Sequence, residues 1–174
     1  FWFLPERRAI LPLSSFHVSR SLLRSRRKYQ VTFDQAFADV MRNCADRSEG
    51  SWISEEFFDV YGKLFALGIA HSCEAWQEDN LVGGVYGVHL GGAFMAESMF
   101  HKATDAGKVA LWSLVQRLEA MGVVLLDVQY QTPHLKSLGA VEISHEEYLQ
   151  KLQDALKMSL DWSPVVPTSL ESHR

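Results

Sequence analysis

The chain has 174 residues, of which 47% are hydrophobic and 22% charged, so it is long enough for one domain with a substantial core. No apolar run reaches the roughly 20 residues of a membrane span, and the start lacks a signal-peptide pattern. We therefore expect a soluble, cytoplasmic protein without a membrane partner. Cys44 and Cys73 match no metal or redox spacing, which favours reduced thiols and predicts no metal site.

The net charge of −4 conceals a local excess of positive charge. Between residues 7 and 33 the chain carries no acidic residue and seven basic ones: Arg7, Arg8, Arg20, Arg24, Arg26, Arg27 and Lys28. A basic segment in an acidic protein indicates a polyanionic partner that docks at one place. A solvated basic surface that pairs with acidic residues elsewhere explains the charge equally well.

Hydrophobic periodicity, capping residues and turn signals predict the secondary structure. In chain order the predicted elements are an edge strand at 8–13, a short turn or helix at 17–27, a strand at 29–33, a helix at 35–44 capped by Asp34, a helix from Ser54 to 67, strands at 70–78, 81–88 and 93–100, a helix at 106–121, a buried strand at 123–128, a helix from 132 or 133 to 138, a strand at 140–143 and a helix from 144 to about 158. This order predicts an α+β fold of the acetyltransferase-like (GNAT-related) class, in which helices flank a mixed sheet with a central antiparallel hairpin. We expect one domain over residues 1–160 and a C-terminal tail over 161–174.

The predicted hairpin at 81–100 is rich in glycine, which weakens a strand unless a bulge, a ligand or another backbone lies there. The hairpin is therefore expected to be shaped for something that lies against it. Its one carboxylate is Glu97, which either faces solvent or belongs to a site. A regular strand places Phe94 and Glu97 on opposite faces, so only a bulge would let both line one pocket.

Asp127 and Gln129 follow a buried apolar run and share one face of the predicted strand. A buried carboxylate must be paired or hydrogen-bonded, or it takes up a proton. Asp127 is therefore either a structural partner of a helix start, Lys108 or Arg117, or a catalytic group beside Gln129. Spacing alone slightly favours the structural alternative.

Several ordered motifs give the chain a specific resemblance. They are His17-x-Ser-Arg-Ser21, Ser51-Trp52-Ile53, Gly68-Ile-Ala-His-Ser72 with Glu74 and Trp76, Leu81-Val-Gly-Gly-Val-Tyr-Gly-Val88, Glu97-Ser-Met-Phe100, Leu126-Asp-x-Gln129 and His134-Leu-x-Ser-Leu-Gly-Ala140. Together they span residues 2 to about 156, and the sequence resembles the leucyl/phenylalanyl-tRNA–protein transferases.

The resemblance implies transfer of Leu or Phe, and less efficiently Met, from aminoacyl-tRNA to a protein with N-terminal Arg or Lys. The peptide bond formed would mark that acceptor for N-degron proteolysis, and neither a metal nor a coenzyme is implied as cofactor. Catalytic roles fall to Asp127 and Gln129, which would orient and deprotonate the acceptor amine. Glu97 would help to hold that amine or the basic N-terminal side chain. Trp52 and Phe94 would line the apolar side-chain pocket. The implied tRNA-binding residues are Arg20, Arg24, Arg26, Arg27 and Lys28.

Three features depart from the family pattern. The small N-terminal domain usual in the family is expected to be absent, because the chain begins at Phe1 after it. Phe65 stands in place of a usual His, and Met95-Ala96 in place of Cys-Gly or a similar pair. Two alternatives remain. One is a coenzyme-A-dependent acetyltransferase, although residues 101–108 lack its pyrophosphate loop, and the other is a non-catalytic tRNA-binding module.

Overall fold

A seven-stranded mixed sheet lies at the centre of the computed structural model, which describes residues 6–46 and 54–162. Its strands are β1 (Arg7–Ile10), β2 (Gln30–Phe33), β3 (Ala70–Gln77), β4 (Asn80–Leu90), β5 (Ala93–His101), β6 (Leu125–Gln129) and β7 (Val141–Ser144). The helices are α1 (Arg20–Arg26), α2 (Phe37–Ala45), α3 (Glu55–Ala66), α4 (Ala106–Met121), α5 (Pro133–Ser137) and α6 (His145–Leu156), with a 3₁₀ turn at Leu13–Ser15.

The strand order is β2-β3-β4-β5-β6-β1-β7. All neighbouring pairs are antiparallel except β5 and β6, which run parallel because α4 connects them as a crossover. The central antiparallel hairpin β4–β5, followed by a helix and a strand beside it, confirms the predicted acetyltransferase-like α+β class.

Side-chain caps define the starts of several helices. Ser54, Thr132 and Ser144 each accept a hydrogen bond from the backbone N–H three residues further on, and α3, α5 and α6 begin within a residue or so of the predicted starts. The predicted cap at Asp34 is wrong, because α2 begins after Ala36. Asp34 instead adopts a left-handed conformation (φ 58°), and its carboxylate accepts the N–H of Ser72.

The first strand is interior, not at an edge as predicted. β1 pairs with β6 on one side and with β7 on the other. Pro12 does not disturb this pairing, because β1 ends at Ile10 and Pro12 caps the following 3₁₀ turn.

Helices cover the sheet on both faces. The largest buried cluster packs α4 against one face, and a second cluster packs α2 and α3 against the hairpin from the opposite face. A third cluster includes Tyr148 and Ala155 of α6 together with Leu125 of β6. No helix among the described residues is long and apolar enough to cross a membrane.

The protein's own atoms lie against the hairpin glycines. A Cβ on Gly83 would come within 2.6 Å of the backbone of Ala106, and one on Gly84 within 2.9 Å of the Phe100 ring. Gly87 similarly leaves space that the Phe94 ring and the Met95 carbonyl occupy. These glycines therefore permit close packing, and what lies against the hairpin at these three positions is the protein's own backbone and side chains.

Candidate functional site

A β-bulge places Glu97 at the site. Tyr86 pairs with Ser98 while the next residue, Gly87, pairs with Ala96, which leaves Glu97 as the extra residue of β5. Its carboxylate accepts a hydrogen bond from the Gln129 side-chain amide at 3.0 Å and another from the Tyr61 hydroxyl. Burial raises the pKa of Glu97 above its ordinary value, although both hydrogen bonds oppose that shift.

Asp127 is completely buried and is held by three residues. The Arg8 guanidinium donates to both carboxylate oxygens at 2.8–3.1 Å, and the Tyr148 hydroxyl donates at 2.7 Å. The backbone N–H of Gln129 donates to the same carboxylate at 2.8 Å. Burial alone would lower the pKa of Arg8, but the hydrogen bond and charge of Asp127 raise it overall, so Arg8 is held in its charged form beside Asp127.

The alternative partners considered for Asp127 are engaged elsewhere. Lys108 forms an ion pair with Asp105 at 3.1 Å, and the Arg117 guanidinium lies over the rings of Phe33 and Trp162. Asp127 is thus part of an ion pair, as the structural alternative expects, but its partner is Arg8.

Gln129 connects Asp127 to Glu97. It ends β6 in a left-handed conformation (φ 65°), which is strained for a residue other than glycine, and the bond from its N–H to Asp127 holds that conformation. Its side-chain amide then reaches across to Glu97 on β5. The structure therefore brings together Asp127, Gln129 and Glu97, which the sequence had singled out.

A cavity of about 350 Å³ opens beside Glu97 and Gln129 and is called here the Gln129 cavity. Its lining residues are Val85, Ala96, Glu97, Ser98, Met99, Leu111, Val128, Gln129, Tyr130, Thr132 and Leu135. Most of this lining is apolar, and the polar groups are concentrated where β5 and β6 adjoin. A largely apolar cavity with a few convergent polar groups is the usual form of a small-ligand site.

The structure does not bring Phe94 to this cavity. Phe94 is 1% exposed and packs in the cluster around α4, with its ring 5.8 Å from that of Trp162. Glu97 bonds Gln129 beside the cavity and also Tyr61, which belongs to the cluster on the other face of the sheet. The bulge exists, but it lies after Phe94 in the strand, and Phe94 does not line the Gln129 cavity. The structure therefore does not place Phe94 and Glu97 in one pocket. Trp52 lies outside the described residues.

The predicted tRNA-binding residues lie on and just after α1. Arg20, Arg24, Arg27 and Lys28 are exposed, while Arg26 is half-buried and donates to the Tyr29 carbonyl at 3.1 Å. The same helix buries Leu22 and Ser25, so one face is fixed to the core while the cations face solvent. Arg8 belongs instead to the Asp127 ion pair, so the basic surface begins at Arg20.

Sequence reasoning missed the three side chains that hold the two carboxylates. Arg8 lies in the basic segment, which predicts a surface cation, and the sequence assigns no role to Tyr61 or Tyr148. Tyrosine hydroxyls at otherwise buried helix positions require a partner, and that requirement is the available signal. No group of three or more His, Cys, Asp or Glu suited to a metal occurs among residues 6–46 and 54–162.

Known proteins resemble this chain over nearly all of its length. The family model described as leucyl/phenylalanyl-tRNA protein transferase matches residues 10–153. Proteins named leucyl/phenylalanyl-tRNA–protein transferase include one from Ruegeria sp. (strain TM1040), 51% identical over 97% of this chain and 81% of its own length. Another, from Herpetosiphon aurantiacus, is 52% identical over 91% of this chain and 84% of its own.

Two solved structures share the fold at low sequence identity. L-PGS from Bacillus licheniformis has a TM-score of 0.54 at 13% identity, with 88% of this chain and 66% of that chain covered. FemX has a TM-score of 0.61 at 12% identity, with 87% and 64% covered. The present chain thus spans just under two thirds of both. These likenesses concern the fold alone, whereas the family match and the identities near 50% show that the chain belongs to the leucyl/phenylalanyl-tRNA–protein transferase family.

Proposed function

We propose that the protein transfers Leu or Phe, and also Met, from aminoacyl-tRNA to the N-terminal Arg or Lys of an acceptor protein. Family membership supports transfer from an aminoacyl-tRNA to a protein. The observation that carries the finer assignment is the apolar Gln129 cavity with the hydrogen-bonded Glu97 and Gln129 at its edge. On this proposal the reaction uses no metal and no cofactor, takes place in the cytoplasm and marks the acceptor for N-degron proteolysis.

The cavity suits the side chain of the transferred residue. Its volume of about 350 Å³ lies at the lower end of ligand-site volumes and accommodates an aliphatic or benzyl group. Val85, Leu111 and Leu135 offer that group apolar contacts. Burial of a Leu or Phe side chain is worth about 1.5–3 kcal/mol, which favours these donors over tRNAs that carry polar residues.

Glu97 and Gln129 would position the reacting groups. The acceptor α-amine must be neutral when its nitrogen attacks the ester carbonyl carbon, and its ordinary pKa of about 7.7–8.0 makes this easy. The ribose oxygen then leaves and takes up a proton, while the amine loses one. The Glu97 carboxylate would accept a hydrogen bond from the amine, and the Gln129 amide would donate to the developing oxyanion.

Asp127 does not contact the reacting groups in this scheme. Its five hydrogen bonds and complete burial leave it committed to Arg8, Tyr148 and the Gln129 backbone. We therefore assign it the positioning of Gln129, in preference to the direct deprotonation implied by the resemblance. The exposed Arg20, Arg24, Arg27 and Lys28, with Arg26, would bind phosphates of the tRNA.

The proposed activity has a direct test. The protein is incubated with Phe-tRNA or Leu-tRNA that carries a labelled amino acid, together with a peptide that begins with Arg. We expect the peptide to gain one residue, and matched peptides that begin with acetyl-Arg or Ala to remain unmodified. tRNA binding without transfer would instead support a non-catalytic binding module, and acetylation of the peptide by acetyl-coenzyme A would support the acetyltransferase alternative.

A further inference from the structure

A second cavity, of about 420 Å³, opens where α4 begins and α5 lies beside it. Three nitrogen-bearing side chains from different elements line it: His101 at the end of β5, Lys108 in the first turns of α4 and His134 in α5. Met99 and Asp105 also line this cavity, which is called here the Lys108 cavity. The scheme above gives none of these residues a role.

The Lys108 cavity gathers one ammonium and two imidazoles around a single carboxylate. Partial burial lowers the pKa of His134, and the neighbouring Lys108 and His101 lower it further while Asp105 opposes them, so His134 offers a ring N–H more readily than a positive charge. The one carboxylate, Asp105, is already bound by the Ser25 hydroxyl at 2.8 Å and by the Lys108 ammonium at 3.1 Å.

Donors outnumber acceptors in the cavity. Asp105 precedes α4 as its N-cap residue, yet its side chain makes no capping bond to the helix. Lysine, imidazole and N–H groups are the donors that phosphate oxygens accept from.

The position of the cavity connects the two parts of the proposed donor site. The side chain of Met99 lines both the Gln129 cavity and the Lys108 cavity, so the two adjoin. On the other side, the bond from Ser25 to Asp105 ties the cavity to α1. An aminoacylated nucleotide whose acyl group fills the Gln129 cavity carries its nearest phosphate one nucleoside away. The Lys108 cavity therefore lies between the acyl group and the exposed cations of α1.

We propose that the Lys108 cavity binds the phosphodiester that joins the last two nucleotides of the aminoacyl-tRNA, with Lys108, His101 and His134 as its donors. The inference rests on the proposed function and extends it to the acceptor end of the RNA. It divides phosphate binding into two parts, one specific contact near the ester and a diffuse contact at α1.

Two minimal donors isolate this contact. Phenylalanyl-adenosine has the ester and the nucleoside but no phosphate, and the phenylalanyl ester of cytidylyl-adenosine adds one phosphodiester. The measured quantity is the ratio of their kcat/KM values in transfer to an N-terminal-Arg peptide. For the unsubstituted protein we expect the phosphodiester donor to be better by about tenfold or more, the size of one charge-assisted hydrogen bond. Because each ratio compares two donors with the same protein, partial loss of folded protein cancels.

Three variants decide the outcome. For the double variant Lys108→Ala, His134→Ala we expect the ratio of the two kcat/KM values to fall close to one. For Lys108→Arg, which keeps the positive charge, we expect most of the preference for the phosphodiester donor to remain. Lys136→Ala is the matched control, because Lys136 is an exposed cation on α5 that does not line the cavity, and its ratio should equal that of the unsubstituted protein. A ratio near one for the unsubstituted protein, or the same high ratio in the double variant, overturns the phosphate site while the transferase function stands. No transfer from either donor or from intact aminoacyl-tRNA overturns the proposed function and this inference with it.

Discussion

The ion pair between Arg8 and Asp127 should contribute more to stability than any surface pair of the chain. Asp127 is fully buried, and the Arg8 side chain is 24% exposed. Loss of one partner of a buried pair costs about 3–5 kcal/mol, and the partial exposure of Arg8 places Asp127→Asn near the lower value. For a chain of this length, about 3 kcal/mol corresponds to a fall in Tm of roughly 6–12 °C.

A double-mutant cycle isolates the pair. Unfolding of Asp127→Asn, Arg8→Gln and the double variant is followed in urea by circular dichroism. We expect the double variant to be less destabilised than the sum of the single ones, with a coupling of about 2 kcal/mol. Arg7→Gln is the matched control, because Arg7 contacts Glu142 only in solvent, through an ion pair at 3.7 Å and a hydrogen bond to the Glu142 carbonyl at 2.9 Å, and it should cost less than about 1 kcal/mol. Additivity within about 0.5 kcal/mol would refute the reasoning.

Three further predictions concern charge, pH and the cavity. Replacing Arg24 and Arg27 with Ala should reduce the slope of log affinity for tRNA against log salt concentration by about 1–2, because each phosphate contact contributes roughly 0.7–0.9 to that slope. An unchanged slope would mean that these two residues are solvated and do not contact the tRNA. Burial raises the folded-state pKa of Glu97, so the native protein binds more protons than the unfolded chain around that pKa and loses stability as pH rises through it. Urea unfolding from about pH 4 to about pH 8 should show this loss relative to Glu97→Gln, and a constant difference would contradict it. Leu111→Phe should narrow the Gln129 cavity and so shift the preference from Phe towards Leu by about tenfold, measured with the two charged tRNAs in competition. An unchanged preference would show that this cavity does not hold the transferred side chain.

Local signals in the sequence were sufficient for the order of the elements and for most helix ends. The side chain of Ser54 caps α3 and Gly122 ends α4 in a left-handed conformation, and both effects act over only a few residues. Asp34 shows the limit of such signals. It looks like a cap, but contacts with Ser72, His71 and Trp162, all distant in sequence, determine its conformation.

The resemblance named the residues that meet at the candidate site, but the contacts between them could not be predicted. The sequence singled out Glu97, Asp127 and Gln129 as site residues. The bulge that turns Glu97 towards Gln129 depends on the register between β4 and β5, which no local pattern specifies. The partner of Asp127 could not be chosen either, because Arg8 is 119 residues away and meets it only once β1 pairs with β6.

The central claim is that the acyl group is transferred beside Gln129. The most direct measurement is the single-turnover rate of transfer from Phe-tRNA to an N-terminal-Arg peptide, with Gln129→Ala compared with the unsubstituted protein. We predict that the substitution lowers the transfer rate by at least about 100-fold, the usual cost of losing one donor to a developing oxyanion. The dissociation constant for Phe-tRNA should change by no more than about twofold. An unchanged transfer rate in a folded Gln129→Ala protein would contradict the account.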